Sequence, residues 1–390
     1  MHLHRRVPAS VRNRRGSVLV LSALVLFVAL AFTALVVDLS YISLTRTELQ
    51  NAADAASMGG ALELGLATSP SAASSALAKQ AAFQAAVDVA AANRGGGRSS
   101  IYVDPTKDIR VGQYRYDLAT GTYKTEWNVA PYNLVEDVAR RDTAGSTSGD
   151  GPLDLFFAPV LGRDTTTTRV ASRAALQPGA GFYLEPGSAG SIGILPIALD
   201  NPTWAALING TGLDQYTVNA NGTVSLGPDG VREVNLYPNG TADLPPGNRG
   251  TVDIGSPNNS TADLVRQIRY GLNDFDMSFF PNREIRFDKG PITLNGDTGL
   301  SAGIKDDLEA IKGQPRAIPI FTAVSGPGNN ANYTISKFVG VRIVFVNLTG
   351  KPTSKAVIVQ PTPYSAPQVI VAPNKVITTD TIWGPPGIVQ

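Results

Sequence analysis

The chain has 390 residues, 43% of them hydrophobic and 17% charged, so it is long enough and apolar enough to fold around more than one core. Its net charge of +1 hides an uneven distribution, because five arginines lie in the first fifteen positions and the acid-containing remainder offers no basic surface for nucleic acid. Cysteine is absent and the two histidines, His2 and His4, lie in the arginine-rich leader, which argues against disulfides, metal sites with these ligands and a serine triad.

The first predicted element is a twenty-residue apolar segment from Val18 to Val37, in which only Ser22 and Thr33 are weakly polar. At about 1.5 Å per residue, a helix of this length spans about 30 Å, the thickness of a bilayer's hydrocarbon core. Arginines precede the segment and Asp38 follows it, so the positive-inside rule predicts a single-pass protein with a cytoplasmic N-terminus. The lipid bilayer is therefore its first predicted partner.

A cleaved secretory signal is the alternative interpretation of this segment. The tripeptide Ala29-Leu30-Ala31 has the small-residue spacing that a signal peptidase prefers. However, the apolar segment is longer than a usual signal-peptide core and leads directly into further helical sequence. These features favour a retained anchor within one long helix from about Ser17 to Leu66.

The same N-terminal region carries a family pattern. It consists of Arg14-Arg15-Gly16-Ser17, the apolar segment, Val37-Asp38 and the run Leu-Gln-Asn-Ala-Ala-Asp-Ala-Ala over 49–56. Over about residues 14–64 the chain resembles the N-terminal domain of Tad-type (Flp) pilus-assembly proteins of the TadG-like and TadE-like kind. The resemblance implies a bacterial inner-membrane protein with a structural or assembly role. Its expected partners are other Tad pilus or envelope proteins, or copies of itself, contacted through the N-terminal helix.

The family pattern also supplies the candidate packing and interaction residues, namely Gly16, Asp38, Leu49, Gln50, Ala53, Asp54, Ala55 and Ala56. Two interpretations of the polar members stay open. In the first, Asp38 marks the exit of the helix into water, and Gln50 and Asp54 share one solvated face. In the second, they specify contacts with partner helices. The small residues from Ala52 to Gly60 would let a neighbour pack closely.

The sequence departs from the family pattern in two places, and these differences indicate which branch of the family it resembles. Processed prepilins of such systems usually carry a glutamate five residues after the processing glycine, whereas the residue five after Gly16 is Leu21. This difference favours the TadG-like branch, with the whole helix retained. Some TadG-like proteins carry a von Willebrand A domain with an Asp-x-Ser-x-Ser metal site, but this spacing does not occur after residue 100. No metal and no cofactor are therefore predicted.

Beyond the anchor, the pattern predicts a second helix over 71–93 and an antiparallel hairpin formed by 109–116 and 123–129. The helix presents an apolar face that runs from Leu77 to Val89. Together these elements would form a pilin-like helix-plus-sheet region. A strand at 169–175 follows, and the apolar stretch Pro-Leu-Asp-Leu-Phe-Phe-Ala-Pro-Val-Leu-Gly over 152–162 is weakly similar to a later part of TadG-like chains.

After a predicted linker over 177–181, short β-branched runs alternate with Asn, Gly, Pro and Thr, which is typical of a β-rich domain. Two short helices are predicted in it, one from Ser260 to Gly271 with a capping box and one from Ser301 to Gly313. The clearest strands are 318–324, 334–346 and 356–360. Tight turns are predicted at the Asn-Gly pairs beginning at Asn209, Asn221 and Asn239.

The predicted fold class is α+β, with a long N-terminal transmembrane helix, a pilin-like helix plus antiparallel sheet, and a β-rich distal domain. The predicted segments are a cytoplasmic basic leader (1–16), the transmembrane and membrane-proximal helix (17–66), the helix-plus-sheet region (67–178) and the extracytoplasmic β-rich domain (179–390). The sequence and the resemblance together predict a structural or assembly component of a Tad/Flp-type pilus or related surface appendage, anchored in the bacterial inner membrane.

Two alternative functions remain open at this point. One is an exported binding or adhesion module that the helix only tethers. The other is a secreted hydrolase, because acidic pairs can hydrolyse glycosides; the acidic residues in question are Asp274, Asp276, Asp306, Asp307 and Glu309. The last three are predicted to form an exposed helix face between two lysines. No nucleophile and base pair can be named, so no catalytic residue is predicted.

Overall fold

The computed structural model describes residues 15–66, 72–219, 221–237, 248–255, 260–298, 302–326, 331–351 and 354–389. Within them, the α-helices are α1 (Arg15–Leu66), α2 (Ala72–Ala91), α3 (Asn201–Ile208), α4 (Thr261–Tyr270), α5 (Asp274–Met277) and α6 (Lys305–Ala310). The strands are β1 (Ile109–Asp117), β2 (Thr122–Trp127), β3 (Leu134–Arg141), β4 (Leu153–Asp154), β5 (Thr165–Thr166), β6 (Thr168–Ala175), β7 (Gly179–Tyr183), β8 (Leu199–Asp200), β9 (Tyr216–Val218), β10 (Val224–Leu226), β11 (Val234–Asn235), β12 (Asn248–Val252), β13 (Glu284–Arg286), β14 (Ile292–Thr298), β15 (Pro315–Ser325), β16 (Ala331–Asn347), β17 (Ala356–Pro361), β18 (Tyr364–Ser365), β19 (Val369–Val371), β20 (Ile382–Trp383) and β21 (Gly387–Ile388). A long apolar helix followed mostly by antiparallel strands confirms the predicted α+β class with its β-rich C-terminal part.

The described chain divides into two compact units, and neither is continuous in sequence. The first unit contains residues 15–52, 91–102 and 139–170. The second unit contains the described residues of 53–90, 103–138 and 171–390. The four-segment division proposed from the sequence stays a prediction.

In the second unit, the last turns of α1 pack closely against α2 and β3. A Cβ atom added at Gly60 would lie 3.0 Å from the carbonyl oxygen of Ala82 and 3.1 Å from Cγ1 of Val135. Glycine allows this close approach because it has no side chain. The buried stripe of α2 consists of alanines four residues apart (Ala78, Ala82, Ala86 and Ala90), whereas Phe83, Val87 and Val89 of the predicted apolar face are half-buried. The small residues of α1 thus receive a neighbour from their own chain.

The predicted hairpin is confirmed as β1 and β2, which belong to a five-stranded sheet in the order β2-β1-β3-β6-β21. Tyr116 lies opposite Tyr123 across the hairpin, and Ile109 lies opposite Asp137 on β3. Since neighbouring residues on a strand point to opposite faces, Val135 and Asp137 share the face of β3 that packs against α1.

The largest sheet centres on β16, a 17-residue strand that pairs with β14, β15 and β17. The three strands predicted as clearest in this region are confirmed within β15, β16 and β17. The sheet lies between two groups of buried apolar side chains, one around Trp204 and the other around Phe182. Ser260 caps α4 as predicted, because its hydroxyl accepts from the Asp263 amide at 3.2 Å. The predicted start of the next helix, Ser301, lies outside the described residues, and α6 begins at Lys305.

The linker predicted over 177–181 is wrong, because this stretch enters β7, the central strand of the sheet β13-β7-β19. Its glycines serve close backbone packing instead of flexibility. A Cβ atom at Gly181 would lie 1.9 Å from the carbonyl oxygen of Ile285, and one at Gly179 would lie 2.2 Å from Cγ1 of Val369.

In the two Asn-Gly pairs that the structure describes, only the glycine has a positive φ. Asn209 closes α3 with a φ of −82°, whereas the following Gly210 has a φ of 92°. Asn221 and Gly222 lie between β9 and β10, and Gly222 has a φ of 81°. The third pair, at 239–240, lies outside the described residues.

One carboxyl group inside the second unit has no hydrogen-bond partner. Asp137 is fully buried, and both of its side-chain oxygens are unpaired. Burial, together with the nearby carboxylates of Asp108 and Glu136, raises the pKa of Asp137 to about 8. The folded protein therefore holds this side chain in its neutral form at neutral pH.

We expect Gly181→Ala to lower the free energy of unfolding by about 1–3 kcal/mol, since the added methyl group has no room. Gly387→Ala is the matched control, because Gly387 also lies in a strand but has no heavy atom within 4 Å of its Cβ position. Urea unfolding of the full chain in detergent measures both variants. Equal unfolding midpoints for the two variants would contradict the assigned packing of β7.

The Asp137 carboxyl group should also make stability depend on pH. An unfolded aspartate titrates near pH 4, so between about pH 4 and about pH 8 folding must take up a proton, and the free energy of unfolding falls as pH rises. The slope from this group is up to about 1.4 kcal/mol per pH unit, and it vanishes above about pH 8. Asp137→Asn should remove this component, whereas Asp306→Asn, at an exposed carboxylate, should retain it. Identical pH profiles for wild type and Asp137→Asn would refute the assignment.

Candidate membrane-anchoring site

The first part of α1 is apolar and open on all sides. It is the one helix among the described residues that is long and apolar enough to cross a membrane, and its most apolar 18-residue window has no buried residue. Large side chains such as Leu19 and Phe27 are 73% and 71% exposed. A continuous helix pairs its own backbone polar groups, which is the condition for spanning hydrocarbon. This surface therefore suits lipid and not water.

Asp38, the first residue after the apolar segment, is only 3% exposed. Its Oδ1 atom accepts from the Phe156 amide at 2.8 Å, and its Oδ2 atom accepts from the amides of Phe157 and Ala158 at 3.0 and 2.7 Å. Hydrogen bonds to a charged acceptor are roughly twice as strong as neutral ones, and three of them favour the ionised carboxylate. The carboxylate of Asp38 is therefore held by protein amides and not by water, although the residue directly follows the apolar segment.

The segment held by Asp38, residues 155–163, is called here the apolar loop. The short antiparallel pair of β4 and β5 closes its base. Its tip is a 3-10 turn (Ala158–Leu161) whose second residue is Pro159 and which ends at Gly162, whose φ is 77°. The ring of Phe156 also meets the ring of Tyr41 on α1 edge-to-face, with centroids 5.2 Å apart. The loop is thus fixed to α1 by both hydrogen bonds and an aromatic contact.

A second polar contact joins α1 to the rest of the first unit. Glu48 accepts from the Gly96 amide at 2.9 Å, and Arg141 donates to the Gly96 carbonyl at 2.8 Å and to the Gly151 carbonyl at 2.6 Å. Burial, together with the charge of Arg98, lowers the pKa of the Arg141 guanidinium from its ordinary value. Gly96 is required here, because its φ is 56° and a Cβ atom would lie 2.6 Å from Nη1 of Arg141.

The predicted motif residues separate into buried and accessible groups. Leu49, Ala53 and Ala56 are fully buried within the chain, whereas Gln50, Asp54 and Ala55 are half-buried. Gly16 lies in the first turns of α1. Partner contacts through these residues stay a prediction.

Sequence reasoning did not identify the residues that hold Asp38. The signal available was the apolar stretch over 152–162, whose unusual feature is consecutive phenylalanines beside a proline and a glycine. Because its contribution to the site consists of backbone N–H groups, no polar side chain marks it. Only the fold brings it to Asp38, over more than a hundred residues.

Four of the five acidic residues considered for catalysis form ion pairs with other described residues, and Asp306 is the exception. Asp276 is fully buried, and its two carboxylate oxygens accept hydrogen bonds from Nη1 and Nη2 of Arg266 at 2.7 and 2.6 Å. Asp307 is buried and pairs with Arg269 at 2.8 Å, so the prediction that it lies on an exposed face is wrong. Asp306 is exposed, as predicted, and Glu309 is half-buried.

A cleft of about 480 Å³ in the second unit also contains charged groups. Its Asp380 pairs with Lys337 and accepts from the Trp204 indole at 2.9 Å. Burial lowers the pKa of the neighbouring Lys375, whose ammonium donates to the Gly179 carbonyl at 2.8 Å. Asp380 also accepts from the Thr378 hydroxyl at 2.6 Å, so the charged groups of this cleft are held by contacts within the protein. Among the described residues, no group of three potential metal ligands occurs.

Comparison with known proteins gives one finding, on the anchoring helix. Residues 16–63 match the family model Tad, described as Flp pilus-assembly TadE/G-like. The resemblance inferred from the sequence is thereby confirmed over the helix that carries the apolar segment, Asp38 and the 49–56 motif. No curated protein and no solved structure matches the chain.

Replacing Asp38 by alanine should release the apolar loop. We expect the amide protons of Phe156, Phe157 and Ala158 to exchange with solvent about tenfold faster or more, because their shared charged acceptor is lost. Asp38→Asn, which keeps one acceptor oxygen, should have an intermediate effect. Hydrogen exchange followed by mass spectrometry measures this in detergent. Unchanged exchange in Asp38→Ala, relative to the exposed control Asp306→Ala, would show that Asp38 does not hold the loop.

Proposed function

We propose that this protein is a membrane-anchored structural or assembly component of a Tad/Flp-type pilus or a related surface appendage. The observation that carries the proposal is the coincidence of two features on one helix. The Tad match covers residues 16–63, and within that range lies the apolar segment that is open on all sides. The family is associated with pilus assembly, and the helix suits a bilayer.

The orientation follows from charge. Five arginines precede the apolar segment and no acidic residue accompanies them. By the positive-inside rule this end stays in the cytoplasm, so residues after Asp38 lie outside the inner membrane of a bacterium. The basic leader and the apolar segment together support a single-pass anchor with its folded units exported.

The surface of α1 beyond Asp38 supports contacts with other envelope proteins or with further copies of this chain. Leu39 and Leu44 are more than half exposed on this part of the helix. The surface of α1 at Gly59 and Gly60 is already covered by α2 of the same chain. Association is therefore proposed through the open face near Leu44 and through the half-buried Gln50.

The absence of a catalytic role is also part of the proposal. The Tad family is one of structural and assembly proteins. In addition, the carboxylates considered for hydrolysis, Asp276 and Asp307, are buried and paired with arginines. Such pairs stabilise the positions of α4, α5 and α6 and leave the carboxylates unavailable to a substrate.

An aromatic face on the five-stranded sheet favours a second candidate function, an exported binding module. The rings of Tyr114 and Tyr123 stack at 4.6 Å, and Tyr116 meets Tyr123 edge-to-face. The guanidinium of Arg110 lies 4.3 Å from the ring of Trp127. Aromatic faces of this kind suit planar or sugar-like ligands and protein anchors. Binding of an appendage subunit that Tyr123→Ala abolishes would support this function.

The topology can be tested directly because the chain contains no cysteine. We expect an impermeant maleimide to label Ser99→Cys in spheroplasts, and to label Ser10→Cys only after lysis. Intact mass of the membrane fraction should equal that of the full chain. Labelling of Ser10→Cys in intact spheroplasts would reverse the orientation. A mass lacking the first 16 or about 31 residues would instead indicate prepilin-like processing or secretion.

A further inference from the structure

The apolar loop exposes four large hydrophobic side chains within six residues. Phe156 and Val160 are 66% and 89% exposed, and Phe157 and Leu161 are also exposed. Single exposed hydrophobic residues are ordinary, whereas a cluster of this kind marks a surface that contacts something apolar.

This exposure is built into the fold of the loop. The Leu155 amide donates to the Asp164 carbonyl at 3.0 Å, and the Arg163 amide donates to the Ala158 carbonyl at 3.1 Å. At the tip, the Gly162 amide donates to the Pro159 carbonyl at 2.9 Å. With its backbone paired internally and to Asp38, the loop presents hydrophobic side chains and few free polar groups. That combination meets the requirement for contact with hydrocarbon.

The position of the loop along α1 identifies what it contacts. Asp38 directly follows the apolar segment, so its hydrogen bonds to Phe156, Phe157 and Ala158 hold the loop at the level where the helix leaves the hydrocarbon core. Aromatic side chains are enriched at this level of a membrane. The exposed Arg163 follows the apolar residues and suits a lipid phosphate, with its methylene groups along the apolar layer.

We propose that the apolar loop inserts into the interfacial layer of the bilayer beside α1 and forms a second membrane contact. Its occupants are phospholipids of the leaflet on the Asp38 side. The inference rests on the proposed function only in that α1 must span the bilayer. It adds that the folded first unit is itself seated on the membrane, through Phe156, Phe157, Val160 and Leu161.

The test uses the full chain in phosphatidylcholine nanodiscs, with a single cysteine at Leu161 labelled by bimane. Lipids brominated near the headgroup or near the chain ends then report the depth of the label. Leu26→Cys, in the middle of the apolar segment, is the reference for a deep position. Ser99→Cys is the aqueous control, because Ser99 is exposed. It lies three residues after Gly96, whose amide donates to Glu48. Glu48 is ten residues after Asp38 on α1, which is about 15 Å further from the apolar segment.

We expect bromine near the headgroup to quench Leu161→Cys more strongly than bromine at the chain ends, and the reverse for Leu26→Cys. Ser99→Cys should be quenched by neither lipid. Val160→Cys should repeat the Leu161 result, which guards against a local effect of one substitution.

Two results would overturn the proposal. Water-like emission from Leu161→Cys without quenching would mean that the loop stays in solution, and blue-shifted emission without quenching would mean that protein covers it. Quenching of Leu26→Cys shows separately that α1 spans the bilayer. Loss of that reference signal would overturn the proposed anchoring, whereas its retention confines a failure to the loop.

Discussion

The interaction on which the anchoring arrangement depends is the one between Asp38 and three consecutive backbone amides. A carboxylate at the end of an apolar helix must either reach water or find donors, since an unpaired buried charge is strongly unfavourable. Here the donors come from Phe156, Phe157 and Ala158, so the charge is buried at 3% exposure without being isolated. The same bonds satisfy the amides at the start of the 3-10 turn. One side chain thereby ties the end of the 18–37 apolar segment to the start of the 3-10 turn in the apolar loop.

The sequence predicts well those features that repeat along the chain. The length of α1, the hairpin of β1 and β2, and the strands around β16 follow from composition and alternation, and α4 follows from the capping signal at Ser260. It predicts poorly those features in which a residue serves a distant neighbour. Gly179 and Gly181 suggested a linker because the sequence does not show that Val369 and Ile285 lie against them. The helix α3 was not predicted, because its eight residues give too few turns for a clear period.

The candidate site divides along the same line. The apolar segment and the family resemblance could be identified from local pattern, and the match over 16–63 confirms the resemblance, whereas the role of the motif residues around Leu49 stays a prediction. The partner of Asp38 could not, since backbone amides carry no signature in the side-chain sequence. Asp307 was misassigned for a related reason. Its neighbouring lysines indicated a solvated helix face, but Arg269 on α4 covers that side of α6.

A single helix leaves an anchored protein free to rotate about the helix axis and to tilt, and interfacial contacts are what remove this freedom. An apolar loop seated beside α1 provides such a contact on one side of the helix only. Because three hydrogen bonds and the Tyr41 ring tie the loop to α1, the helix and the first unit rotate together. The exposed Leu39 and Leu44 would then face a constant direction in the plane of the membrane. A component that joins others by packing needs this constancy, because its contact surface must meet a partner in the same orientation each time.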